Sequence, residues 1–142
     1  MDFFTSMDIS ASALTAQRTR MNLISSNLAN VNSTRTAEGG PYRRKDAVFT
    51  ATPAAGSFGA ALGKADARRV EVSQIVEDQN PPRLQYDPNH PDADAAGYVA
   101  YPNVNVVQEM ADMISASRSY EANVTAAQAA KSMALKTLDI GR

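Results

Sequence analysis

The sequence predicts a mainly α fold with a small β insert, in which a long helix at each end pairs in coiled-coil fashion around a short β-rich middle. Three observations predict it. A seam of apolar residues runs along Tyr101 to Arg142 at a period of about 3.5 residues. A second seam recurs every seven residues near the start. The helix breakers and the β-branched runs lie between the two.

In the C-terminal seam, steps of four and three give Val106, Met110, Met113, Ser117, Tyr120, Val124, Ala127, Lys131, Ala134 and Leu138. All but Ser117 and Lys131 are apolar or aromatic. So narrow a seam faces another helix, whereas a helix lying on a globular core carries a broader stripe. Pro102 and Asn103 precede the first turn, Asn105 with Gln108 fits a cap and its reciprocal partner, and Gly141 is the expected stop. Such a helix spans roughly 50 Å at about 1.5 Å per residue. A chain of 142 residues has no core wide enough to bury it.

The N-terminal helix shows Met7, Leu14, Met21 and Leu28 at intervals of seven, with Ser10, Gln17, Ile24 and Val31 completing the seam. Thr5 followed by Asp8 fits a capping-box start. Asn32-Ser33-Thr34 closes the helix, and Gly39-Gly40-Pro41 forbids any extension. A Met and Leu stripe is ordinarily a core face. Here the burial of one seam barely offsets the backbone entropy of ordering so long a helix. Both ends are therefore expected to order fully only when several chains bundle. Leu14, Met21, Ile24, Leu28 and Val31 at one end, and Val106, Met110, Met113, Tyr120, Val124 and Leu138 at the other, are the expected assembly residues.

These limits divide the chain into an N-terminal helix over residues 1–32, a β-rich middle over 33–100 and a C-terminal helix over 101–142. In the middle, Ala47-Val48-Phe49-Thr50 has strand character. Ala and Gly dominate from about 50 to 64, which is expected to be a mobile loop. Val70 and Val72 alternate with Arg69, Glu71 and Ser73, and Ile75-Val76 extends the best strand until Pro81-Pro82. Arg83 to Asp87 is short and extended, and Gly97 to Tyr101 is the last β-like run. The expectation is one β unit of three or four strands.

Composition removes several function classes. The formal net charge is −1, so no strong field favours nucleic acid or an anionic membrane. Neither seam carries the dense Lys/Arg face of a membrane-surface helix. Cys is absent, which excludes disulfides and thiolate metal sites. No apolar run reaches the roughly eighteen residues of a membrane span. The opening Met1-Asp2-Phe3-Phe4-Thr5-Ser6 lacks a basic region and a continuous apolar stretch, so no secretory signal peptide is expected.

Three features invite a chemical reading. Asp87, His90, Asp92 and Asp94 carry metal-ligand chemistry, but the run lacks the Gly and Glu of a calcium loop and two prolines stiffen it. A solvated turn between strands is the better account, with no metal or cofactor. Gly39-Gly40-Pro41-Tyr42-Arg43-Arg44-Lys45 is not a phosphate cradle, because a strand and not a helix follows. Its basic run is expected at a solvated edge or in salt bridges between subunits. His90 is the single histidine and has no evident partner nucleophile, so an enzyme is not expected.

Ser26-Asn27-Leu28-Ala29-Asn30-Val31-Asn32 resembles the signature that ends the first helix of the bacterial flagellar rod and hook proteins. Gly39-Gly40-Pro41-Tyr42, Asp87 to Asp94, Gly97-Tyr98-Val99 and the block from Tyr101 through Tyr120-Glu121-Ala122-Asn123 to Leu138-Asp139-Ile140-Gly141-Arg142 are similar to the proximal-rod branch of that axial family. The resemblance implies terminal helices packed in the inner wall of a tubular assembly. It implies a structural subunit of the proximal rod, the periplasmic drive shaft that carries torque from the membrane ring toward the distal rod and hook. The partners implied are further copies, other proximal and distal rod subunits, the protein joining rod to membrane ring, the flagellar type III export apparatus and the rod cap. Export would proceed from the cytoplasm without a cleaved signal. A needle or translocator component of a virulence secretion system is the alternative, though the Asn-Leu-Ala-Asn and Gly-Gly-Pro-Tyr blocks speak against it.

Overall fold

The computed structural model describes residues 3–53 and 67–140. In chain order the elements are α1 (Phe3–Ala29), β1 (Lys45–Pro53), β2 (Arg68–Glu77), β3 (Arg83–Tyr86), β4 (Tyr98–Tyr101) and α2 (Val106–Ile140). The chain is mainly helical with a β insert, as the seams predict. Among the described residues, four strands form two separate antiparallel hairpins, β1–β2 and β3–β4, and not the single β unit expected. Pro81 and Pro82 fall between them, and proline cannot donate to a ladder that would merge the sheets.

The helices run antiparallel. Asn27, near the end of α1, bonds Glu109 in the first turn of α2. Phe3 and Phe4 lie beside Met133 and Leu138 at the opposite end. Asn105 caps α2, its Oδ1 accepting from Val107 N at 3.1 Å and Gln108 N at 3.3 Å. The Gln108 side chain does not reciprocate. It donates forward to Asp112 at 3.3 Å. At the other helix, α1 already includes Phe3, so Thr5 lies inside it and is not its cap. Helix α1 ends at Ala29, where Asn30 donates to Ser26 O through both its backbone N and its Nδ2. The expected stop at Gly141 lies outside the described residues.

The hairpin β1–β2 pairs Lys45 with Glu77 through Pro53 with Arg68, and its register slips between Val48 and Phe49. Ser73 is the extra residue on β2, and its hydroxyl donates to Val48 O at 3.0 Å, which pins the bulge. Residues 50–53, expected to open the mobile Ala/Gly stretch, belong instead to β1. Residues 54–66 lie outside those described. The hairpin lies along α1, where Ser12 Oγ accepts from Val70 N at 3.1 Å.

The hairpin β3–β4 carries the Asp/Pro turn between its strands. Asp94 Oδ1 accepts from Ala96 N and Tyr98 N, both at 2.9 Å, and Gly97 follows at φ +79°. A side chain at Gly97 would meet the Tyr86 ring at 2.9 Å. The apolar core is small. Among the described residues, Ala16, Ile24, Val99, Val104 and Ala116 are its buried members, with Pro102. No helix among the described residues is long and apolar enough to cross a membrane.

Candidate assembly site

Two features stand out: a buried polar node where α1, β1 and α2 meet, and the apolar helix faces that the chain leaves uncovered. The node centres on Asn27, which is fully buried. Its Nδ2 donates to Lys45 O at 2.9 Å and to Glu109 Oε2 at 3.1 Å. Its Oδ1 accepts from Lys45 N and from the Tyr42 hydroxyl, each at 2.9 Å. Both amide protons and both acceptor positions are therefore used. One side chain joins α1, the loop before β1, β1 itself and α2.

Glu109 is 1% exposed and would be costly to bury alone. Arg44 Nε donates to its other oxygen at 2.5 Å, while Arg44 Nη1 reaches Asp46 at 3.2 Å. Burial pulls the Arg44 pKa down, but the hydrogen bond and charge of Glu109, helped by Asp46, outweigh it. The net effect lifts the pKa above its ordinary value. A raised pKa keeps Arg44 charged throughout the neutral region.

The loop that delivers Arg44 is shaped by glycines. Gly39 and Gly40 sit at φ +89° and +80°, with Thr36 N donating to Gly40 O at 2.9 Å. Tyr42 N then donates to Ser33 O, and Asn30 Oδ1 accepts from Ser33 Oγ. Arg44 is thereby directed toward the node. Arg43 pairs with Gln79, Arg44 with Glu109 and Asp46, and Lys45 with Glu77 at 3.4 Å. Arg43 and Lys45 keep solvent exposure beside these partners, whereas Arg44 is the member whose side chain reaches the buried node.

Of the expected assembly residues, Ile24 is buried and Leu14, Met21, Leu28, Val31, Met113, Tyr120 and Val124 are half-buried. Val106, Met110 and Leu138 are exposed, at 41%, 55% and 70%. The covered positions of α2 include Glu109, Met113, Ala116, Tyr120, Asn123, Ala127, Ala130 and Ala134. They share every seventh residue with the apolar seam but deviate at the intervening positions. Small Ala and Asn residues line the approach of α1, which leaves the larger Met110 and Leu138 outside. Val107 and Ile114 add to the uncovered face. At the far end, Phe3, Phe4, Ala130, Met133 and Leu138 flank an open groove of about 550 Å³.

The Asp/Pro turn docks within the chain. Asp92 Oδ2 accepts from Thr34 Oγ1 at 2.8 Å and lies 3.9 Å from Arg35. Asp87 and Asp94 accept from backbone N–H groups of the turn. His90 Nδ1 accepts from Asp92 N. Among the described residues, no group of three or more His, Cys, Asp and Glu side chains is arranged to hold a metal ion.

This geometry, two long helices tied by a polar node and leaving apolar faces open, suits a subunit. The family described as "Flagella basal body rod protein" matches residues 7–35, and that described as "Flagellar basal body rod FlgEFG protein C-terminal" matches residues 95–140. These spans hold nearly all of α1 and α2. The chain is 48% identical to the flagellar basal-body rod protein FlgC of Bacillus subtilis, over all of both chains. The chain belongs to the FlgC family of flagellar basal-body rod proteins. FlgC of Escherichia coli O6:H1 is 50% identical over 95% of each chain. FlgC of Borreliella burgdorferi is 45% identical over 99% of this chain and 98% of its own. FlgC proteins form a structural, non-enzymatic family, in agreement with the absence of a catalytic constellation from the sequence.

The node went unread in the sequence. Asn27 lies inside the block that carries the family resemblance, yet its four hydrogen bonds follow from no spacing rule. Glu109 gave one signal: it is the acidic residue in the first turn of α2.

Proposed function

We propose that this chain is a structural subunit of the flagellar basal body that polymerises into the proximal rod and helps transmit torque toward the distal rod and hook. The full-length identity to FlgC proteins carries the reading. The apolar residues that one chain leaves exposed, Val106, Met110 and Leu138, support it. In this reading α1 and α2 form the inner-wall region, residues 1–32 and 101–142. The two hairpins form the outward middle region, 33–100. Leu14, Met21, Ile24, Leu28, Val31, Met113, Tyr120 and Val124 set the packing of the pair, and the exposed residues meet neighbouring helices.

The partners are further copies of the chain and other rod subunits, the distal rod included, with the protein joining rod to membrane ring at one end and the rod cap at the growing end. The subunit reaches the periplasm through the flagellar type III export apparatus without a cleaved signal. The relatives named above are flagellar rod proteins, and nothing in the chain favours a virulence-system needle. Deleting the gene tests the proposal. Loss of rod completion and motility, both restored by the gene in trans, is the expected result. Complete rods and normal swimming in the deletion strain would refute it.

A further inference from the structure

Apolar content and burial disagree along α2. Met113 and Tyr120 belong both to its apolar seam and to its covered face. Elsewhere the two part: Val106, Met110 and Leu138 of the seam are exposed, while Glu109, Ala116 and Ala130 are covered. With about 100° between successive helical residues, the two arcs are centred roughly 50° apart. The contrast is sharpest at the start, where Glu109 is 1% exposed and the adjacent Met110 is 55% exposed. Apolar burial alone would turn Met110 inward and leave the carboxylate in water.

We propose, resting on the rod-subunit reading for the assembled state, that Glu109 is a positioning residue that fixes the rotation of α2 about its own axis against α1. Its two oxygens are claimed from different elements. Asn27 Nδ2 donates to Oε2 from α1, and Arg44 Nε donates to Oε1 from the loop before β1. Only one rotation of α2 satisfies both donors, and any other strands a buried charge or a buried amide. Farther along, Ala127, Ala130 and Ala134 are too small and too alike to select a rotation by shape. The node therefore decides, at a cost in apolar burial, as a single buried polar residue sets register in a coiled coil. The consequence falls on the opposite side of the helix. Val107, Met110 and Ile114, at spacings of three and four, share one outward face and are 77%, 55% and 55% exposed. Glu109 in the node holds that stripe turned away from α1, where other subunits of the rod can reach it.

Crosslinking within assembled subunits tests the rotation. The chain has no cysteine, so pairs can be placed without background. Cells that keep the wild-type gene also express a tagged copy carrying Arg20→Cys with either Asp112→Cys or Ser117→Cys. Their isolated basal bodies are treated with a short bis-maleimide. Arg20 lies 3.9 Å from Asp112 across the helix pair, so the 20–112 pair should give the intramolecular product and the 20–117 pair little. Glu109→Ala in the tagged copy should shift the product from 20–112 to 20–117, because the apolar seam then chooses the rotation. Asn27→Ala, which removes the α1 side of the node, should produce the same shift. An unshifted pattern in incorporated subunits of both variants would overturn the proposal alone, since small-residue packing would then set the rotation. Absence of the tagged parent from basal bodies would refute the rod-subunit reading and the proposal with it.

Discussion

Arg44 and Glu109, 65 residues apart in sequence, meet in the interior through an Nε to Oε1 hydrogen bond, with the carboxylate 1% exposed and the guanidinium 25% exposed. Removing one member leaves a buried charge alone. Arg44→Met should therefore destabilise the chain by about 3 kcal/mol, the low end for a broken buried pair because Arg44 is partly solvated. The double variant Arg44→Met/Glu109→Met should lose less than either single variant, since no charge is left stranded. Urea denaturation of the four proteins checks the order.

Asn27→Ala should cost at least about 3 kcal/mol, because Tyr42, Lys45 and Glu109 all lose a buried partner at once. Asn27→Asp makes a sharper test. It retains an acceptor for Lys45 N and the Tyr42 hydroxyl but places a carboxylate against Glu109. Two carboxylates in one site raise the affinity of one for a proton. Stability is then lost as pH rises through that raised value and regained below it. Thermal melts should show this variant recovering toward about pH 5, while the wild type shows no such gain.

Gly97→Ala should destabilise the β3–β4 hairpin more than Gly39→Ala does the loop before β1. Both glycines have positive φ, at +79° and +89°. An added Cβ meets nothing within 4 Å at Gly39, whereas at Gly97 it comes within 2.9 Å of the Tyr86 ring and 3.3 Å of Pro88. The backbone strain alone is worth about 1–2 kcal/mol at either site. Paired melts would show the difference between the two variants as the steric part.

The Asp/Pro turn is predicted to be built from backbone contacts and to bind no metal. Asp94→Ala removes acceptors for Ala96 N and Tyr98 N and should cost about 1 kcal/mol. His90→Ala should cost less, since it loses a single bond to Asp92 N at an exposed site. Calorimetric titration with zinc and calcium should show no binding. Stoichiometric binding abolished by His90→Ala would contradict the prediction.

Much of the fold was legible in the sequence because it follows from local rules. The seams placed both helices, Asn105 placed the start of α2, and Val70 and Val72 placed β2. The separation of the strands into two hairpins was not legible, since nothing local states which strands share hydrogen bonds. The seam of α2 was half legible. Large residues such as Met110 and Leu138 dominate an apolar pattern, but close approach of two helices favours Ala116, Ala127 and Ala130. The node was the least legible part. Its members are polar, far apart in sequence, and ordinarily read as solvated.

The central claim is that the apolar residues this chain leaves exposed are covered by neighbours in the rod. The sequence contains no cysteine, so single replacements report without background. Met110→Cys and Leu138→Cys, expressed in a strain lacking the wild-type gene, should react rapidly with a thiol reagent as purified monomer. In isolated basal bodies from motile cells both should react at least about tenfold more slowly, as burial under a neighbouring helix requires. Equal reactivity in monomer and assembled rod would contradict the account.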